Sequence, residues 1–260
     1  MGKGGGIMDF YSQILAKKLN GGGGGGGDNY EAFRKLIDGS ITTVTAEMLQ
    51  GITRIDDYAF YKCETLTSIE IPNTVTAIDT YAFCQCVGLT SIDIPNSVTT
   101  IGESAFRSCN RLTSIGIQNG VTTIGDYAFY LCTDLRSMRI PNSVTSIGNY
   151  TFQQCSSLKS IEIPSGVASI GNYTFYNCSA LTSVEIPSSM ASIGNYAFSN
   201  CTSLVSFTVR ATTPPSLGSA AFPHPATRLV IYVPSESVET YKAASGWSSY
   251  ADKIQAIPSE

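Results

Sequence analysis

The 260-residue sequence predicts an α/β solenoid, a coil of short stacked units, on three observations. Phenylalanine recurs every 23 positions at Phe60, Phe83, Phe106, Phe129, Phe152, Phe175 and Phe198. Cysteine keeps the same interval through Cys63, Cys86, Cys109, Cys132, Cys155, Cys178 and Cys201. Leucine does so from Leu66 to Leu204, so three columns share one period over seven units. A unit this short cannot enclose its own apolar side chains, whereas stacked copies share one continuous core.

Each unit carries two periodicities. In Leu66-Thr67-Ser68-Ile69-Glu70-Ile71 the isoleucines alternate with Ser68 and Glu70, the period-2 pattern of a strand with one buried face. Pro72 lacks the N–H that would continue a ladder and ends the strand. Upstream, Ile55, Ala59, Phe60 and Cys63 fall on the spacing of one side of a short helical turn. Gly102, Gly125, Gly148, Gly171 and Gly194 suit the bend into that turn. The expectation is an arc with one parallel β-sheet on its concave face, rungs ~4.8 Å apart, and short helical turns on the other side.

The ends depart from the pattern, as solenoid caps do. Residues 28–38 place Tyr30, Phe33, Leu36 and Ile37 at helical spacing over the first rung, and residues 41–46 read as an imperfect opening strand. Thr213-Pro214-Pro215 interrupts the repeat, and the next phenylalanine, Phe222, comes one position late. Residues 229–233 read as a strand, and Pro234-Ser235-Glu236 starts a helix to about Ala244 with Gly246-Trp247 behind it. Residues 8–19 are expected to form a short amphipathic helix before the polyglycine tether 21–27. The expected organisation is a Gly-rich N-terminal segment (1–27), an N-terminal cap (28–50), repeats (51–210) and a C-terminal cap of strand plus helix (211–260).

Ala-Phe-x-x-Cys and Leu-Thr-Ser-Ile-x-Ile-Pro recur in register, and this pattern resembles the BspA-like leucine-rich repeats of bacterial surface and adhesion proteins, a resemblance that covers about residues 52–257. Pro-Asn-Ser/Thr stands where the common leucine-rich consensus has Asn or Cys after the strand. The ending Ile231-Tyr232-Val233-Pro234, Tyr241-Lys242 and Gly246-Trp247 is similar to the C-terminal cap of the same proteins. Asp9-Phe10-Tyr11 with Leu15-Ala16-Lys17-Lys18-Leu19-Asn20 resembles the head of tail-fibre or accessory virion proteins from phages of gut bacteria. These resemblances imply a leucine-rich-repeat arc without enzymatic activity that recognises a protein or glycan on a cell surface. They imply an extracellular, cell-surface or virion location, with residues 1–27 as the attachment to a virion or surface assembly. The alternative they leave open is a structural spacer anchored through the same segment.

Composition excludes other classes. Charged residues make up 14% and the formal net charge is −4, with an isoelectric point near 5.1, so no basic face is expected for nucleic acid. No apolar run reaches bilayer length, so membrane insertion is not expected. Met1 to Gly6 shows neither the apolar stretch nor the cleavage site of a secretory signal. His224 is the single histidine, which leaves no multi-histidine metal site and no histidine-paired nucleophile. The glycine runs lack the Gly-Lys-Ser/Thr of a phosphate loop. No catalytic residue, metal site or cofactor is expected.

The cysteine column is expected to be buried, reduced and unpaired, each thiol acting as a small apolar group. Cys84 falls where other units have Tyr61, Arg107, Tyr130 and Gln153, so it is expected to be exposed and to react first. The column Tyr58, Tyr81, Tyr127, Tyr150, Tyr173 and Tyr196 either packs rung on rung or offers a ladder to sugars, and packing is favoured. Asn149-Tyr150-Thr151 and Asn172-Tyr173-Thr174 match the glycosylation sequon.

The outward sheet face carries the candidate site. One row is uniform: Ser68, Ser91, Ser114, Ser137, Ser160, Ser183 and Ser206. The next reads Glu70, Asp93, Gly116, Arg139, Glu162, Glu185, Thr208, and a third at the strand start reads Thr67, Thr90, Thr113, Arg136, Lys159, Thr182, Val205. Departures from the repeat cluster at Arg136, Arg139 and Lys159. With Glu162, Ser114, Ser137 and Ser160 they form the candidate ligand-binding set, suited to an acidic glycan or a carboxylate-bearing protein loop. Gly116 is expected to leave room beside Arg139. The competing reading is a solvated face with an Arg139–Glu162 cross-strand pair worth little.

Overall fold

In a computed structural model, described here over residues 42–223 and 228–259, the chain winds into a parallel β-solenoid of about nine turns. The expected helices at 8–19 and 28–38, the tether and His224 lie outside the described residues. The main column of strands runs through Ser68–Ile69, Ser91–Ile94, Ser114–Ile117, Ser137–Arg139, Ser160–Glu162, Ser183–Ile186 and Ser206–Val209. It continues with Val230–Val233 and Ile254–Ala256. Every paired strand is parallel to its neighbour, and within the repeats the register places residues 23 apart side by side, Ser137 beside Ser160 beside Ser183. Inward Ile, Val, Met and Phe alternate with outward Ser, Glu and Arg, as the period-2 pattern requires.

A second ladder replaces the expected helical side. Arg54–Ile55, Ala77–Ile78, Thr100–Ile101, Thr123–Ile124 and Ser146–Ile147 pair in parallel, and Ser169–Ile170, Ser192–Ile193 and Ser216–Leu217 continue the column. Ile55 is thus the inward residue of a strand and not the start of a helical turn. The turn that follows bonds in two directions. Ala59, Tyr61 and Cys63 donate their N–H groups within the rung to Asp56, Tyr58 and Phe60 at 3.0–3.1 Å. Tyr58, Phe60 and Lys62 donate forward to the carbonyls of Thr80, Ala82 and Cys84 in the next rung at 2.7–3.0 Å.

An α-helix would keep every one of these bonds inside the segment. Here alternate N–H groups leave the rung, and the backbone reaches that geometry by placing Tyr58 and Lys62 in the left-handed region, each at φ 60°. The same two positions repeat it, at Tyr150 and Gln154 for example, with φ 58° and 62°. A non-glycine residue in that region costs ~1–2 kcal/mol, so the forward hydrogen bonds must offset a recurring strain. The strand columns bond the other way: Glu70 donates back to Val44, and Gly102 to Ile78.

Between the columns lies one continuous core. The phenylalanine rings stack from Phe60 to Phe198 with centroids 5.0–5.5 Å apart and planes within 9° of parallel. Each is buried, and burial of one such ring contributes ~1.5–3 kcal/mol. The cysteine column runs beside them. The thiol of Cys109 donates to the Phe83 carbonyl at 3.1 Å and that of Cys132 to Phe106 at 3.2 Å, a bond repeated along the column. A thiol therefore fills an apolar slot and weakly satisfies a buried carbonyl.

At the C-terminal end the chain forms a 3-10 turn at Ser235–Ser237, a helix at Val238–Ala243 and a 3-10 segment at Trp247–Lys253. It then returns in Ile254–Ala256, a strand the sequence did not announce, which pairs with Val230–Val233. Buried Tyr241 and Trp247 join the core and donate to the carbonyls of Ala211 and Pro215 at 2.8 and 2.7 Å. Among the described residues no helix is long and apolar enough to cross a membrane.

From Gly102 to Gly194 glycine opens each turn, where the first two rungs have Asp56 and Asp79, and it answers to rung spacing and not to left-handed geometry. A Cβ on Gly102 would come within 2.7 Å of the Asp79 carbonyl carbon, and on Gly194 within 2.6 Å of that of Gly171. Gly194→Ala is accordingly expected to lower stability by about 1–3 kcal/mol through overpacking. Ser169→Ala, on the exposed face of the second ladder, should change it by less than about 0.5 kcal/mol. Urea unfolding of the two variants checks this, and equal midpoints would contradict it.

Candidate functional site

The strands Ser137–Arg139, Ser160–Glu162, Ser183–Ile186 and Ser206–Val209 stand side by side in one sheet. Their inward residues Met138, Ile161, Val184 and Phe207 are anchored in the core, which fixes the direction of the outward ones. The result is a groove of about 930 Å³ whose lining includes Ser137, Arg139, Ser160, Glu162, Glu185 and Arg210. Four serine hydroxyls form one row in register, and Arg139, Glu162, Glu185 and Thr208 form the parallel charged row.

Of the seven residues singled out in the sequence, this groove gathers Ser137, Arg139, Ser160 and Glu162. Arg136 and Lys159 are exposed at the strand starts outside its lining, their backbones linked by the Lys159 N–H to the Arg136 carbonyl at 3.1 Å. Ser114 lies on a strand that pairs with Ser91–Ile94, in a separate hydrogen-bonded segment of the column. The space expected above Gly116 is taken, because the Asp93 carboxylate lies where a side chain at that position would begin.

Two further groups belong to the groove. Arg210 meets Glu185 with both prongs of its fork, Nε to Oε1 at 2.8 Å and Nη2 to Oε2 at 3.2 Å. Both side chains are about half exposed, at 48% and 53%, so the pair orients the two groups and adds only ~0–1 kcal/mol of stability. The sequence does carry a signal for it: Arg210 stands where other units have Pro95, Pro141, Pro164 and Pro187. Arg139 and Glu162 are register partners, yet among the described residues no ion pair joins them. The cross-strand pair expected from the sequence is absent, and both charges stay exposed to solvent and to a ligand.

The tyrosine column packs. Tyr58 stacks on Tyr81 at 5.0 Å, and Tyr127, Tyr150, Tyr173 and Tyr196 stack in turn at 4.6, 5.0 and 4.8 Å. Tyr150 and Tyr173 are covered on both faces by their neighbours, while the end rings Tyr58 and Tyr196 are more than a third exposed. The sequon asparagines also serve the rungs: Asn149 and Asn172 each accept a backbone N–H of the next turn at 2.8 Å. Thr151 and Thr174 are fully buried.

Cys84 corrects an expectation. It is 2% exposed, as buried as the column itself, while Cys63 at the first full rung is the half-buried one. All eight cysteines are unpaired. Burial pushes the Cys63 thiol up to about 12. It raises Cys84 to about 11, with Arg107 and Lys62 pulling in the opposite direction.

A family model described as the BspA type leucine-rich repeat region matches residues 30–156 and 122–243, in six copies. A leucine-rich repeat protein of T. pallidum has a solved structure that is 32% identical, with a TM-score of 0.52 over 57% of this chain and 68% of that one. A leucine-rich cell surface protein of Faecalibacterium prausnitzii A2-165 is 23% identical, with a TM-score of 0.38 over 84% and 79%. The pneumococcal vaccine antigen PcpA is 16% identical, with a TM-score of 0.41 over 84% and 79%. No curated protein matches the sequence. The family match begins at residue 30, and none of the comparisons supports the phage resemblance expected of residues 9–20.

Raised thiol pKa values mean less thiolate than an ordinary cysteine carries at pH 8, hence slow reaction. Native protein treated with a thiol reagent at pH 8 is expected to modify Cys63 first and slowly, with Cys84 and the column reacting only after denaturation. Rapid modification of Cys84 in the native state would contradict its burial.

Proposed function

The chain belongs to the BspA-type leucine-rich-repeat family, and from that premise we propose that it is a non-enzymatic recognition protein of a cell surface or virion. Its groove along Arg139 and Glu162 binds a protein or glycan outside the cell, and residues 1–27 attach it to the assembly that carries it. The observation that carries this reading is the open pair. In a row where Glu185 is closed by Arg210, Arg139 and Glu162 face each other across adjacent strands without pairing. The guanidinium can meet a carboxylate with two parallel hydrogen bonds, and the Glu162 carboxylate can accept from hydroxyl or ammonium donors. Side chains shared by every rung hold the fold together, so the departures are free to supply specificity. The run Gly21 to Gly27 stands in the sequence between the proposed attachment segment and the repeats.

The test is binding of labelled protein to a panel of bacterial and animal cells. Arg139→Ser with Glu162→Gln should weaken binding by roughly tenfold or more while the melting temperature stays unchanged. Deleting residues 1–27 should leave that binding intact. Undiminished binding by the double variant, or its loss in Tyr127→Ala with Tyr150→Ala, would move the recognition surface to the tyrosine side.

A further inference from the structure

The charged row does not end at the groove. Register pairing carries it from Arg139 through Glu162, Glu185 and Thr208 to Tyr232 and on to Gln255, six adjacent strands of one sheet. The serine row likewise runs from Ser137 to Ser206 and then meets Val230. Beside it Val205 is 43% exposed. The face therefore changes character along its length: an open charge pair at one end, hydroxyls between, and an outward tyrosine with two valines at the other.

Tyr232 differs from the tyrosines of the turn column. It sits on the outward side of Val230–Val233, half-buried, between the buried Ile231 and Val233. Among the described residues its ring stacks on no other aromatic, and its neighbours along the row are Thr208 on one side and Gln255 on the other.

We propose that this face binds a linear acidic oligosaccharide, with a sugar carboxylate on Arg139, sugar hydroxyls on Glu162 and the serine row, and the apolar face of a distal ring on Tyr232. The inference rests on the preceding reading of the groove and narrows its ligand to one class. At the centre of the groove the apolar lining residues Met138, Ile161 and Val184 are buried, and the side chains that reach out are serine, glutamate and arginine. Sugars are polymers of vicinal hydroxyls with apolar ring faces, matched by carboxylates that accept two hydrogen bonds and by one outward, half-buried aromatic ring. Arg139 supplies the charge complement of an acidic sugar. The four rung steps from Arg139 to Tyr232 span ~19 Å, the reach of a short oligosaccharide lying along the row.

The experiment uses the full chain on an array of uronic-acid, sialic-acid and neutral oligosaccharides of increasing length, with acidic peptides alongside. Binding is expected for acidic oligosaccharides, rising with length to about four sugars and then level. Arg139→Ser should remove the preference for acidic over neutral members. Tyr232→Thr, which restores the residue of the preceding rung, should weaken the longer ligands by about tenfold and the shortest little, at unchanged melting temperature. Should Tyr232→Thr fail to fold, Tyr232→Phe keeps the ring and must bind like the parent, and the length plateau remains as the readout. Binding of peptides alone, binding of no oligosaccharide, or indifference to both substitutions would overturn the assignment. If no oligosaccharide binds while Arg139→Ser with Glu162→Gln still abolishes cell binding, the groove stands as a recognition surface and the sugar inference fails.

Discussion

Within the repeats each turn of backbone pairs with the next in a 23-residue register, and the remaining features of the molecule follow from that contact. Two strand ladders send their N–H groups back one rung, and the turn sends alternate N–H groups forward. Because rungs meet this closely, no side chain fits at Gly102 or Gly194. Because the turn must bond outward, residues such as Tyr150 and Gln154 take left-handed backbone that non-glycine residues usually avoid. The same side chain then recurs in the same environment, which lets phenylalanines and tyrosines stack in files and thiols bond to successive carbonyls.

That contact also builds the outward face. Residues far apart in sequence become neighbours one strand away, so a surface row is read by stepping through the repeat. A row made of one residue type carries no information beyond the fold. On the proposed reading specificity comes from the rungs that break the rule, as Arg139 and Tyr232 do on one continuous sheet and Arg210 does just after its strand. The weak strength of an exposed ion pair matters here, since Arg210 and Glu185 can hold each other in place without sealing the groove.

The core and the main ladder were legible because each rests on a long-range regularity. Phe60, Cys63 and Leu66 repeat too faithfully to serve anything but a shared interior, and Ile69 and Ile71 alternate as a strand must. The second ladder was not legible, since Arg54–Ile55 and its successors are two residues long and too short to alternate. The turn imitated a helix because bonds from residue i to i−3 bring Ala59, Phe60 and Cys63 to one side, as a helix would. Half of the candidate site followed from row arithmetic. What the rows withheld was conformation: whether Arg139 would close on Glu162, where Asp93 would turn its carboxylate, and how far a thiol at position 84 would project.

The claim that regular positions hold the fold while irregular ones recognise the ligand is best tested by a mutational scan of the whole chain with two readouts, folded abundance and binding to cells. The account predicts that the phenylalanine, cysteine, leucine and glycine columns lower both readouts together. It predicts that positions lowering binding alone gather on the row Arg139, Glu162 and Tyr232. Binding-only positions on the tyrosine column, or scattered over both ladders without a cluster, would contradict it.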